Sequence, residues 1–166
     1  MQKTTFCNDL TWKLNDSTLI QKMGTLYYNT SDFTNDRFPG PQPKSIERSN
    51  FHHLHNHSYW VCEKTDGVRY LFVCFIHLGR NYSFLVNRKN DIFLLNFELS
   101  TKNFNNTILD GELIKSNQDN SYHFLVFDAI IVNNIHLHSK SYHERMSFVE
   151  LVTDKYKKRS SDPFCI

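Results

Sequence analysis

At 166 residues the chain is long enough for one domain with its own core and too short for several. Its 40% hydrophobic and 22% charged residues exclude disorder as the default, and a formal charge of only +2 excludes a dedicated nucleic-acid coat, so any polyanion contact is local. No apolar run approaches the roughly 20 residues of a membrane span, the start MQKTTFCNDL has no apolar signal core, and four cysteines without a CxxC pair point to a reducing compartment, nuclear or cytosolic.

In chain order, Asp16 is placed to cap a short helix over 16–24 that Gly24 ends. Tyr27 to Gln42, rich in Asn, Thr, Asp, Gly and Pro, reads as an extended loop. The run HHLHNH at 52–57 has no cysteine or acid nearby at helix-type spacing, so it reads as a solvent-facing loop rather than a zinc site. From Tyr59 the pattern changes to short β-branched and aromatic runs broken by Gly, Asn and Asp. These predict strands at Tyr59–Glu63, Arg69–His77, Tyr82–Asn87, Ile92–Leu95, Ile108–Lys115 and Tyr122–Val132. Cys62 and Cys74 fall inside two of them, as small hydrophobes.

The links RKND and SNQDNS are short and turn-rich, which favours antiparallel pairing. His136 and His138 alternate with Leu137 in a surface loop after the last strand. Ser141 and Glu144 form a capping box, and Met146, Val149, Val152 and Tyr156 recur at helical spacing, which predicts a helix over 142–157 packed on the sheet. The cluster KYKKR at 155–159 is a solvated helix end that suits the helix dipole, with an RNA-facing patch as the alternative.

One stretch carries chemistry. In YWVCEKTDGVRY at 59–70, Lys64, Asp66, Gly67 and Arg69 stand between two predicted strands. A lysine is a nucleophile only as the neutral amine, against an ordinary pKa of ~10.4, so it needs desolvation or nearby positive charge. Arg69 or a bound metal ion would supply that charge, Asp66 would orient the amine or cap the turn, and Gly67 permits a tight turn and close ligand approach. Taken alone, the tetrapeptide reads equally as the turn of a β-hairpin flanked by an exposed lysine and arginine.

The surroundings change that. EKTDGVR resembles the KxDGxR nucleophile motif of the covalent nucleotidyltransferases, a superfamily of mRNA capping guanylyltransferases, DNA ligases and RNA ligases. FPGPQPKSIER at 38–48 resembles the segment that precedes the lysine in cellular mRNA capping enzymes, a pairing that ligases do not share. FLVNRKNDIF at 84–93, LDGELI at 109–114 and FLVFDAII at 124–131 resemble the later family strands, in the family order and over residues 38–159.

The resemblance implies an α+β nucleotidyltransferase domain of the ATP-grasp/DNA-ligase-like kind, with antiparallel sheets and flanking helices around a GTP cleft. It implies a two-step reaction: Lys64 Nζ attacks the α-phosphorus of GTP, releases pyrophosphate and holds GMP, which then passes to the 5′-diphosphate end of an RNA to form the cap. Arg69 and Arg88 would grip the ribose and phosphates. Thr65, beside the lysine, has a positional role or reads the base, and Asp66 and Gly67 complete the motif. Glu112 would bind the ribose or help a divalent cation, Mg or Mn, that Asp128 supports directly or through water. Phe127 is either a guanine-stacking ring or ordinary core. Implied partners beyond GTP and RNA are an RNA polymerase II tail or an RNA triphosphatase. The implied location is the nucleus, or the cytoplasm for a virus or a cytoplasm-replicating parasite.

Two departures stand out. Asn87 occupies the position where the family usually has Asp, so a neutral hydrogen bond would replace a salt bridge that orients Arg88, with lower affinity and retained chemistry. The family pattern also continues into a carboxylate-glycine strand, a Lys-x-Lys strand and an OB-fold domain, none of which follows Asp162. The expectation is then the N-terminal part of a guanylyltransferase nucleotidyltransferase domain, a fragment, one half of a split enzyme or a degenerate copy, crippled alone in forming the lysyl-GMP adduct. The rival readings are an ATP-dependent ligase and an inactive binding module of the capping family.

Overall fold

The structure is a computed structural model and describes residues 2–3, 11–28, 38, 40–95, 104–118, 121–153 and 164–166. Its centre is β3 (Val68–His77), paired antiparallel on one edge with β4 (Arg80–Val86) and on the other with β6 (Thr107–Lys115). Leu78 at φ 48° and Gly79 at φ 73° close the β3–β4 hairpin. Positive φ at both turn positions is the type I′ geometry that matches the strand twist.

Beyond β4 lie β5 (Ile92–Leu95), β2 (Thr11–Lys13) and β1 (Gln2–Lys3); beyond β6 lie β7 (Tyr122–Val132) and β8 (Ile135–His136). All these pairs are antiparallel, and β9 (Phe164–Cys165) runs parallel to the start of β7. The expected α+β architecture with flanking helices is the one found. The four strands that sequence periodicity did not predict, β1, β2, β8 and β9, are two or three residues long, too short to show a period.

Strand periodicity explains the two cores. Successive side chains of β3 point to opposite faces. Tyr70, Phe72 and Cys74 pack with Phe104, Phe124, Phe164 and with Val149 and Val152 of α3 (Tyr142–Thr153). Leu71, Val73 and Phe75 pack on the other face with Leu14 and with Leu19 and Met23 of α1 (Ser17–Tyr28). With a helix on each face the middle of β3 is shut off from water, which makes it a rigid base for whatever its first residues carry.

Both predicted helices form with the predicted caps. Asp16 Oδ1 accepts from the amides of Thr18 and Leu19 at 3.0 and 3.1 Å. The Glu144 carboxylate accepts from the Ser141 amide and hydroxyl at 2.8 Å each. The first helix does not stop at Gly24, however, but continues to Tyr28. A glycine inside a helix costs about 1 kcal/mol relative to alanine, and the burial of Leu19 and Met23 offsets it. The second helix is described to Thr153; Tyr156 and the 155–159 cluster lie outside the described residues, as do Cys7 and Pro39.

Two expectations are corrected. HHLHNH is not a loop: His52–Asn56 form a short helix, α2, with every side chain solvent-facing. Tyr59–Glu63 is not a strand. Its aromatic and β-branched content fits a pleated surface, but that preference depends on neighbouring strands to pack against. Both edges of β3 are taken, and residues 58–66 make no backbone hydrogen bond among the described residues. Val61 is accordingly 96% exposed.

Candidate functional site

Where β3 begins, a cleft of about 450 Å³ opens between the start of β3, the C-terminal half of β6 and the β4–β5 turn, lined by Gly67, Val68, Arg69, Asn87, Arg88, Lys89, Asp91 and Glu112. Four residues singled out in the sequence, Gly67, Arg69, Arg88 and Glu112, are therefore brought together. Glycine is required at Gly67: a Cβ there would stand 2.6 Å from the Leu113 carbonyl oxygen and 2.7 Å from Ile114 Cγ2. Lys64 and Asp66 are exposed and Thr65 is half-buried, on the unpaired approach that reaches the cleft at Gly67.

Asn87 builds the turn that carries Arg88. Its side-chain oxygen accepts from the amides of Lys89 and Asp91, both at 2.9 Å, and its amide donates to Asp91 Oδ2 at 3.0 Å. The expected substitute for a salt bridge acts on the backbone instead: among the described residues no hydrogen bond joins Asn87 to the Arg88 guanidinium. The Asn87 amide, followed by Lys13 at 3.0 Å, holds the Asp91 carboxyl below its ordinary value.

Arg69 is more committed than its motif suggests. Its Nε donates to Asp110 Oδ1 at 2.9 Å, and Nη2 donates both to Asp110 Oδ2 and to the Pro41 carbonyl at 2.8 Å. The guanidinium lies between the rings of Phe38 at 5.1 Å and Phe127 at 5.2 Å. Gly40 sits so close that a Cβ would stand 2.7 Å from Arg69 Nη2 and clash with Asp110 Oδ2. Phe38, Gly40 and Pro41 are thus docked on the Arg69–Asp110 pair, which ties the FPGP stretch to the start of β3. Phe127 is half-buried against an arginine, so its ring is neither plain core nor freely exposed.

Asp110 was not singled out in the sequence, although alternation puts it on the same face of β6 as Glu112. It is fully buried, and burial pushes its carboxyl up against the partial opposition of the Arg69 bonds. A bulge explains the crowding. Asp110 pairs with Asp128 and Gly111 with Val126, so Phe127 is the extra residue of β7 and two carboxylates face each other across the strands.

Asp128 does not line the cleft. Its carboxylate takes both forks of Arg145, Nε at 2.7 Å and Nη2 at 2.9 Å, and also accepts from the Ala129 amide at 2.8 Å. The expectation that Asp128 supports a metal therefore concerns a carboxylate that already accepts from three donors. Glu112 differs: among the described residues its carboxylate makes no hydrogen bond or ion pair, and the residue lines the cleft. No group of three or more His, Cys, Asp or Glu among the described residues is arranged to hold a metal. One carboxylate still suits Mg²⁺, which is commonly held by one or two carboxylates plus substrate phosphates.

The family of mRNA capping enzyme catalytic domains matches residues 8–162. The alpha subunit of the mRNA-capping enzyme of Neurospora crassa is 33% identical over 137 residues, 73% of this chain and 34% of that protein. The corresponding subunit of Saccharomyces cerevisiae is 33% identical over 115 residues, 58% of this chain and 25% of that protein. The mRNA-capping enzyme of Caenorhabditis elegans is 28% identical over 132 residues, 74% of this chain and 20% of that protein. The chain thus spans about a third or less of the length of these relatives.

Proposed function

Because this chain belongs to the family of mRNA capping enzyme catalytic domains, we propose that it carries the GTP-binding and nucleophile-bearing part of a GTP:RNA guanylyltransferase. Lys64 Nζ attacks the α-phosphorus of GTP, a P–N bond forms as the P–O bond to pyrophosphate breaks, and the amine gives up its proton. The bound GMP then passes to the 5′-diphosphate end of an RNA. The observation that carries this reading is the arrangement at the start of β3: an exposed lysine on an unpaired segment leads directly into a cleft holding two arginines and an uncommitted carboxylate.

In this reading each residue near the cleft has a role. Arg88, exposed on its Asn87-built turn, reaches the phosphates as a mobile fork. Arg69, locked on Asp110, shapes the ribose side with Glu112 opposite it in the β3–β6 ladder. Gly67 lets the nucleotide approach the backbone, Thr65 and Asp66 orient the lysine, and Phe127 offers a ring edge to the base. A Mg²⁺ or Mn²⁺ held by Glu112 and the triphosphate would neutralise charge on the leaving pyrophosphate. The reading carries with it a nuclear setting, with an RNA triphosphatase and the RNA polymerase II tail as neighbours.

The test is incubation with α-labelled GTP and Mg²⁺ or Mn²⁺, followed for acid-labile, base-stable label on the protein. Label should be faint or absent on residues 1–166 alone and clear when the rest of the relatives' length is supplied, and it should vanish in Lys64→Ala. Labelling by ATP but not GTP would overturn the assignment.

A further inference from the structure

Asp110 and Asp128 face each other across β6 and β7, yet each carboxylate has its own arginine. Arg69 ties Asp110 to the Phe38–Pro41 stretch. Arg145 ties Asp128 to the first turn of α3: its Nη1 donates to the Lys140 carbonyl at 2.8 Å, and its guanidinium lies 5.7 Å from the Tyr142 ring. The same helical turn holds Trp60. The Trp60 and His143 rings stack with nearly parallel planes, 2° apart, with centroids at 5.5 Å, and Tyr142 stands 6.3 Å away.

That stack matters because residues 58–66 have no sheet partner among the described residues. Among the described residues Trp60, still 66% exposed, is the one residue of that segment with a ring contact to the body of the fold. It lies four residues before Lys64, roughly 13 Å along an extended chain, and Gly67 anchors the other side three residues later. Lys64 is slung between two fixed points, and the first of them stands on Arg145 and Asp128.

We propose that Asp128 is a positioning residue for Lys64, acting through Arg145 to fix the Tyr142–His143 turn on which Trp60 is clamped. Three donors already share its two oxygens, which disfavours a metal ion there, while a bidentate arginine supplies the directional anchor such a clamp needs. The consequence for catalysis rests on the guanylyltransferase reading above; the clamp itself does not.

A Trp12→Phe background leaves Trp60 as the sole tryptophan, and its quenching by acrylamide reads the clamp without GTP. Asp128→Asn, Arg145→Lys and His143→Ala should each raise the quenching constant up to roughly twofold, because stacking shields one of two ring faces. Asp128→Asn with Arg145→Lys should do no more than either alone. Glu112→Gln should leave it unchanged. Mn²⁺ alone, followed by its EPR signal, should bind Asp128→Asn as it binds the parent.

In protein that forms the lysyl-GMP adduct, Arg145→Lys should slow adduct formation at saturating GTP while KM for GTP stays within about twofold. Unchanged quenching in folded Asp128→Asn or Arg145→Lys overturns the proposal, and so does loss of Mn²⁺ binding in Asp128→Asn. If Asp128→Asn does not fold, Arg145→Lys and His143→Ala decide alone. Quenching that rises as expected in a parent that forms no adduct even when the rest of the relatives' length is supplied upholds the clamp and overturns the guanylyltransferase reading instead.

Discussion

Replacing Asp110 with alanine should be the most damaging single change near the cleft. The Asp110 side chain is fully buried and that of Arg69 is only 11% exposed, so the variant leaves a guanidinium enclosed by Phe38, Phe127 and the Pro41 carbonyl with no counter-charge. Removing one partner of a buried pair costs about 3–5 kcal/mol, a large share of the roughly 5–15 kcal/mol that stabilises a typical domain. The magnitude comes from the orphaned charge rather than from the lost attraction, and this has a second consequence. Arg69→Met with Asp110→Leu removes both charges and should return stability to within about 2 kcal/mol of the parent. Urea unfolding followed by circular dichroism measures both variants in one series. A cost below about 1 kcal/mol for Asp110→Ala, or a double variant that costs the sum of the two singles, would refute the account of this pair.

Gly67→Ala should destabilise by about 1–3 kcal/mol and abolish labelling from GTP, since its Cβ meets the Leu113 carbonyl and the start of β3 must move away from β6; an alanine variant of parental stability would contradict the packing described. Cys62 is exposed and should react with iodoacetamide in the native protein, whereas burial pushes the Cys74 thiol up to about 12 and should keep it unlabelled until unfolding. Asp91 is held below its ordinary value by the Asn87 amide and Lys13, so the stability it contributes is present above the ordinary carboxylate pKa and lost as pH falls through the lower folded value. Asn87→Ala should raise the Asp91 pKa in a carbon-13 NMR titration, and an unmoved value would mean the amide does not hold it.

Much of this was legible in the chain because it depends on local pattern. The β-branched and aromatic runs of β3 to β7, the Asp16 cap and the Ser141–Glu144 box each state their geometry within a few residues. What the sequence concealed depends on distant partners. Tyr59–Glu63 has strand composition, but pairing is decided by which edges are free, and β4 and β6 take both edges of β3. Asp110 looked like part of a strand motif because nothing local marks a carboxylate that meets an arginine 41 residues away. Asp128 was legible as a functional acid, and its partner was not: Arg145 sits 17 residues on, in a helix whose sequence explains itself by packing alone.

The bulge at Phe127 joins these points. In a regular ladder, successive residues of β7 would alternate between faces, and the motif acid and motif aromatic would have separate surroundings. With Phe127 as the extra residue, its ring reaches the Arg69 guanidinium while Asp128 comes opposite Asp110. Two carboxylates side by side repel, and the fold answers with two arginines drawn from opposite directions: Arg69 from the strand leading out of the lysine motif, and Arg145 from the helix that clamps the segment leading into it. The stretch carrying Lys64 is therefore bracketed by contacts whose arginines answer two carboxylates that one of the two register shifts in the β6–β7 ladder brings together.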